Sequence, residues 1–73
     1  MSGEDASLAA IDVGSTVFVE VARGPWIEAA FVSFGDGTAT VRTARGLVTV
    51  EVESVEFLAP LETPIIFATA VKS

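Results

Sequence analysis

Alternation of apolar and polar residues, cut by glycine-bearing turns, is the feature that most constrains how this chain folds. It runs through residues 24–52, which read GPWIEAAFVSFGDGTATVRTARGLVTVEV. A period of two puts successive side chains on opposite faces of a β-strand, whereas an amphipathic helix repeats about every 3.6 residues. The pattern therefore predicts consecutive antiparallel strands joined by hairpins.

Four strands follow from this pattern, and a further segment has two interpretations. The strands are predicted at residues 16–22, 26–34, 38–44 and 47–55. Gly35, Asp36 and Gly37 predict the hairpin between the second and third strands, because an Asp-Gly step favours a tight turn. Gly46 marks the next turn. Residues 54–60 are predicted to form either a fifth strand or a short 3₁₀ turn.

The fold has to stabilise a small core without covalent or metal crosslinks. The chain has 73 residues and neither cysteine nor histidine, so disulfides and zinc sites with histidine or cysteine ligands are excluded. A flat four-stranded sheet would leave two open edges and an exposed apolar face, which closure into a barrel removes. We therefore expect an all-β fold, a small SH3-like barrel of five antiparallel strands over residues 11–60. A flexible acidic arm (1–10) precedes it, and an apolar extension or connector (61–73) follows.

Charge limits the range of partners. Ten acidic and four basic residues give a net charge of −6. The cations are too few and scattered to bind a row of phosphates, so nucleic acid and anionic membranes are not expected partners. No apolar run reaches the roughly 18 residues of a membrane span, and the acidic N-terminus lacks the features of a signal peptide. A cytoplasmic location is predicted.

Catalytic residues, metal ligands and cofactors are not expected. Glu51 and Glu53 would share a strand face, but the sequence offers no histidine to act as a base or to bind a metal. The glutamates are interpreted as the solvated face of a strand, and the chain is predicted not to be an enzyme.

The single tryptophan, Trp26, has two interpretations. On the outer face it would form a binding site for a peptide or partner with aromatic and acidic neighbours. A methylated lysine would be attracted to such a site by cation–π interaction. Alternatively, Trp26 closes the open end of the barrel next to the loop after the first strand. The residues of the binding hypothesis are Phe18, Glu20, Trp26, Glu28 and Phe34.

Several of these segments resemble the N-terminal SH3-like subdomain of unconventional myosin heavy chains of the plant type. The similarity covers roughly residues 13–58 and lies in VGSTVFVE, PWIEA and GDGTATVRTARGLVTVEVESV. Phe18 stands where that family usually has tryptophan. The resemblance implies a non-catalytic interaction or structural module of a cytoskeletal motor protein. Its partners would be the adjacent motor domain, a light chain or an adaptor. Because the motor's phosphate-binding loop is absent, this chain itself is not expected to hydrolyse ATP.

A second resemblance and the C-terminal segment leave further alternatives open. A tryptophan after the first strand, an acidic residue and two hairpins also resemble Tudor and agenet modules, which implies a reader of a modified peptide. The apolar residues Ile65, Ile66 and Phe67 would pack on a partner. They would otherwise pair with a second copy to form a homodimer, or fold back on their own barrel.

Overall fold

The computed structural model describes residues 8–58 and 63–72 and contains five strands. The strands pair in chain order and close into a barrel. The predicted all-β barrel of five strands is confirmed, and its architecture is consistent with a small SH3-like barrel. The strands are β1 (Thr16–Val21), β2 (Trp26–Gly35), β3 (Thr38–Thr43), β4 (Gly46–Leu58) and β5 (Thr63–Lys72).

One pairing differs from the expected all-antiparallel arrangement. The pairs β1–β2, β2–β3, β3–β4 and β4–β5 are antiparallel, whereas β1 and β5 pair in parallel. Strands of a meander alternate in direction, so the first and fifth run the same way. Closing an odd number of such strands therefore requires one parallel pair.

The glycine-bearing turns form as predicted. Gly35 pairs with Thr38, and the two residues between them have φ values of 52° (Asp36) and 75° (Gly37). Positive φ at both central residues defines the type I′ turn, whose twist matches that of the flanking strands. Gly46, with a φ of 111°, begins β4 directly after the turn that joins β3 to β4.

The alternation also predicts which side chains form the core. Residues from one face of β1 to β4 join Ile66 and Ala68 of β5 in a single buried cluster. Among the described residues, no polar or charged side chain is buried. The barrel interior is therefore apolar. The cluster residues from β1 to β4 are Val17, Val19, Ala29, Phe31, Ala39, Val41 and Val50.

A turn before β1 completes this core. Leu8 is fully buried and Ile11 is 6% exposed, and both belong to the core cluster. The amide of Gly14 donates to the carbonyl of Phe31 at 2.7 Å, which attaches the segment to β2. Leu8 lies within the range predicted as a flexible arm, but the structure makes it a core residue. Residues 1–7 of that range lie outside the described residues.

The fifth strand lies later in the chain than predicted. Most of the segment 54–60 continues β4, which has 13 residues, and β5 comes from the predicted extension. Ile66 is fully buried and Ile65 is 2% exposed. Of the three alternatives for this segment, the structure therefore shows the one in which it folds back on its own barrel. Residues 59–62 lie outside the described part of the chain.

Candidate functional site

The outer face of β1 lies at the centre of a patch in which acidic and apolar side chains alternate. Phe18 pairs with Glu28 of β2 on one side and with Ile65 of β5 on the other. Two residues further along, Glu20 pairs with Trp26 and Phe67. Paired residues share a face, so the Glu20 carboxylate lies between two aromatic side chains. We call the set Phe18, Glu20, Trp26, Glu28 and Phe67 the outer patch.

Trp26 is held in this patch by two contacts. Its indole Nε1–H donates a hydrogen bond to Oε1 of Glu20 at 2.6 Å. Its ring lies 6.3 Å from that of Phe18, centroid to centroid, at an interplanar angle of 41°. The side chain nevertheless remains 50% exposed. A ligand can therefore reach the indole without the barrel opening.

The same contacts exclude the alternative position for Trp26. An indole that closed the barrel would be buried with the core cluster, and Trp26 does not belong to that cluster. Its strand partner Glu20 and ring partner Phe18 both lie on the outer face. The expected lid position was the end next to the loop after β1, and there Ile27 and Val71 remain 45% and 55% exposed. Leu8 and Ile11 cover the opposite end, at which β1 begins.

Phe67 belongs to the site although the sequence pattern had assigned it to a partner-packing segment. It is half-buried and lines an open groove of about 430 Å³ together with Glu20, Glu53 and Glu56. Parallel pairing of β5 with β1 brings Phe67 and Glu20 together across 47 residues of sequence. No local pattern signals a contact of that range.

The groove extends the negative charge of the outer patch onto β4. Three carboxylates line it, and Arg23 is the single cation among its lining residues. Such a surface attracts cations, and the aromatic rings beside Glu20 offer π-faces to them. It contains no histidine, cysteine or lysine that would act as a base or nucleophile.

Phe34 does not belong to the outer patch, and its prediction as part of the same face was wrong. A register shift between Phe31 and Ser33 inserts an extra residue into β2. Beyond this bulge, Phe34 pairs with the buried Ala39, and its ring stacks 6.2 Å from that of Phe31. A one-residue bulge moves all later side chains to the opposite face.

The other two residues predicted to pack on a partner, Ile65 and Ile66, lie on opposite faces of β5, because side chains alternate along a strand. Ile66 points into the core opposite Val19 and Val55. Ile65 lies on the outer side, beside Phe18 and Glu56, and is 2% exposed. Since both isoleucines are buried in their own barrel, neither offers apolar area to a partner.

Two negative findings concern the described residues alone. Across 8–58 and 63–72, no group of three or more histidine, cysteine, aspartate or glutamate side chains is arranged to hold a metal ion. The same part of the chain has no helix long and apolar enough to cross a membrane.

No protein-family model, curated protein or solved structure matches the chain.

Proposed function

We propose that this barrel is a non-catalytic protein-interaction module that binds a cationic side chain of a partner protein on the outer patch. The observation on which the proposal rests is the position of Glu20 between Trp26 and Phe67. A lysine, methylated lysine or arginine side chain would place its charge near the carboxylate and its carbons against the rings. The partner of this module is therefore a basic segment of another protein.

The indole hydrogen bond supports this role for Glu20. By donating to Oε1, Trp26 fixes the orientation of the carboxylate and leaves its second oxygen as an acceptor. The energy expected from a cation over an exposed aromatic ring is about 0.5–1 kcal/mol, and it rises when the site is desolvated. Glu53 and Glu56 add longer-range attraction that salt would weaken.

Tryptophan fluorescence provides the test, since Trp26 is the only fluorophore of its kind in the chain. Peptides of identical Gly-Ser sequence, each with one lysine, trimethyllysine, arginine or acetyl-lysine, are titrated against the protein. The cationic peptides are expected to change the emission saturably and acetyl-lysine to have no effect. Glu20→Gln is expected to weaken binding about two- to fivefold, because it removes the charge and retains the shape.

Matched variants distinguish binding at the outer patch from general effects of net charge or of a shortened phenylalanine side chain. Phe67→Leu is expected to weaken binding, whereas Phe34→Leu, the same change on a different face, is expected to leave it unchanged. Glu51→Gln controls for the change in net charge, since Glu51 does not line the groove. Equal affinity for lysine and acetyl-lysine peptides, or equal loss in both phenylalanine variants, would refute the proposal.

The myosin subdomain stays a second proposal. A five-stranded barrel is compatible with it, but the apolar segment expected to connect to a motor domain instead lies largely in β5. The direct test is to read the parent gene. The proposal requires a motor domain with a Gly-Lys-Ser/Thr phosphate-binding loop in the same reading frame, and a frame without one would contradict it.

A further inference from the structure

The two ends of the barrel differ in how they are covered. Leu8 and Ile11 cover the end at which β1 begins and are buried there. At the opposite end, Ile27 and Val71 pair with the core residues Val19 and Val50 and so face the barrel interior, yet they are 45% and 55% exposed. Among the described residues, nothing covers this second end, which we call the open end.

The open end is a concave apolar site. Its well has a volume of about 510 Å³, within the range of about 300–1,000 Å³ typical of small-molecule sites. The nearly buried Val19, Val41 and Val50 line its inner part, and Ile27 and Val71 form part of its rim. Arg45 and Glu28 also line the well. Aliphatic walls with a few polar groups at the rim are characteristic of sites that bind apolar ligands.

All four cations of this acidic chain lie near the open end. Strands β1, β3 and β5 run in the same direction, so their last residues lie at one end of the barrel. Arg23 follows β1, Arg42 and Arg45 flank the end of β3, and Lys72 ends β5. Asp12 and Asp36 lie at the other end, before β1 and between β2 and β3. Glu20 and Glu28 also lie near this end, but the four cations outnumber them there, although the net charge of the chain is −6.

The groups that line the well restrict which ligands can enter it. Every strand of the closed barrel is paired with neighbours on both sides, so the well offers few free backbone groups to a peptide. The inserted portion must therefore be hydrocarbon, and the cations at the rim favour an anionic head group. A single aliphatic side chain would fill only part of the well. A linear alkyl chain would cover more of its apolar lining.

We propose that the open end binds a free alkyl carboxylate of medium chain length, with the chain in the valine-lined well and the carboxylate beside Arg45. This site shares only Glu28 with the outer patch and does not depend on the proposed function. The charge of the rim and the apolar lining of the well both match this ligand class.

Calorimetric titration with decanoate, below its critical micelle concentration, tests the proposal. Saturable binding of one decanoate per chain is expected. Octanoate should bind about tenfold more weakly, since each buried methylene contributes about 0.8 kcal/mol. Decyltrimethylammonium, with the same chain and the opposite charge, should bind more weakly than decanoate.

Two pairs of variants locate the site. Val71→Glu places a carboxylate at the rim and is expected to reduce decanoate affinity at least about tenfold. Val13→Glu, the same change at a residue that is 75% exposed and precedes β1, should leave it unchanged. Arg45→Gln should weaken decanoate binding about two- to fivefold, and Arg23→Gln, whose side chain lines the outer groove, less. Circular dichroism establishes that each variant is folded.

Several outcomes would overturn the proposal. They are no saturable binding, equal binding of the anionic and cationic amphiphiles, or equal loss in Val71→Glu and Val13→Glu. Binding to phosphatidylglycerol vesicles without binding to monomeric decanoate would indicate a membrane contact instead. Sedimentation that shows a dimer dissociated by Val71→Glu, without decanoate binding, would assign the open end to a second copy of the chain.

Discussion

Two residues in the turn after β1 have a backbone conformation that their side chains disfavour. Ala22 and Arg23 have φ values of 51° and 64°, and the amide of Gly24 donates to the carbonyl of Val21 at 2.9 Å. This is a type I′ geometry, which Asn and Gly adopt readily and other residues at a cost of about 1–2 kcal/mol each. Closure of the barrel by β5 stabilises this turn, because the amide of Ala22 donates to the carbonyl of Ala68 at 2.9 Å.

Substitution at Ala22 should relieve this strain. Ala22→Asn is expected to raise the free energy of unfolding by about 0.5–1 kcal/mol, because asparagine tolerates the left-handed region. Urea denaturation measures the change. Ala44→Asn is the control, since Ala44 is exposed in a turn and lacks a positive φ. A lower stability for Ala22→Asn than for Ala44→Asn would show that the turn is not strained in this way.

At the scale of strands and turns, the sequence predicted what local patterns determine. Alternation identified β1 to β3 within a residue or two, and the Asp36–Gly37 turn fixed the register of its hairpin. The position of β5 and the face of Phe34 were missed for different reasons. Pairing of β5 with β1 is a long-range contact, and the bulge near Ser33 leaves no mark in a pattern of hydrophobicity.

The N-terminal turn should contribute to stability as a core element. Leu8→Ala is expected to lower the free energy of unfolding by about 2–4 kcal/mol, because Leu8 is fully buried. Val13→Ala, in the same segment but 75% exposed, should change it by less than about 0.5 kcal/mol. If urea denaturation gives the two variants equal stabilities, the segment does not cover the barrel end.

Strand β5 is expected to unfold together with the rest of the barrel in one cooperative transition. Ile66→Ala is expected to cost about 2–4 kcal/mol in unfolding free energy, since Ile66 is fully buried between β1 and β4. Val71→Ala removes a half-exposed side chain of the same strand and should cost less than about 1 kcal/mol. A small effect at both positions in thermal or urea unfolding would mean that β5 does not close the barrel.

Across the molecule, the cations are distributed unevenly. The outer groove has three carboxylates and one cation, Arg23, among its lining residues. All four cations follow or end strands at the open end, where Arg45 lines the well. From the net charge we expect poor binding of nucleic acid and anionic membranes. Only the strand directions reveal that the cations gather near one end.

Binding of a cationic side chain between Trp26 and Phe67 is the central claim, and the indole Nε1–H resonance of Trp26 reports on it most directly. The chain has one tryptophan, so its ¹H–¹⁵N spectrum has one such resonance, from the proton that is bonded to Glu20. Titration with a trimethyllysine peptide should shift this resonance saturably, and acetyl-lysine peptide should leave it in place. An unmoved indole resonance at peptide concentrations that saturate binding elsewhere on the barrel would contradict the account.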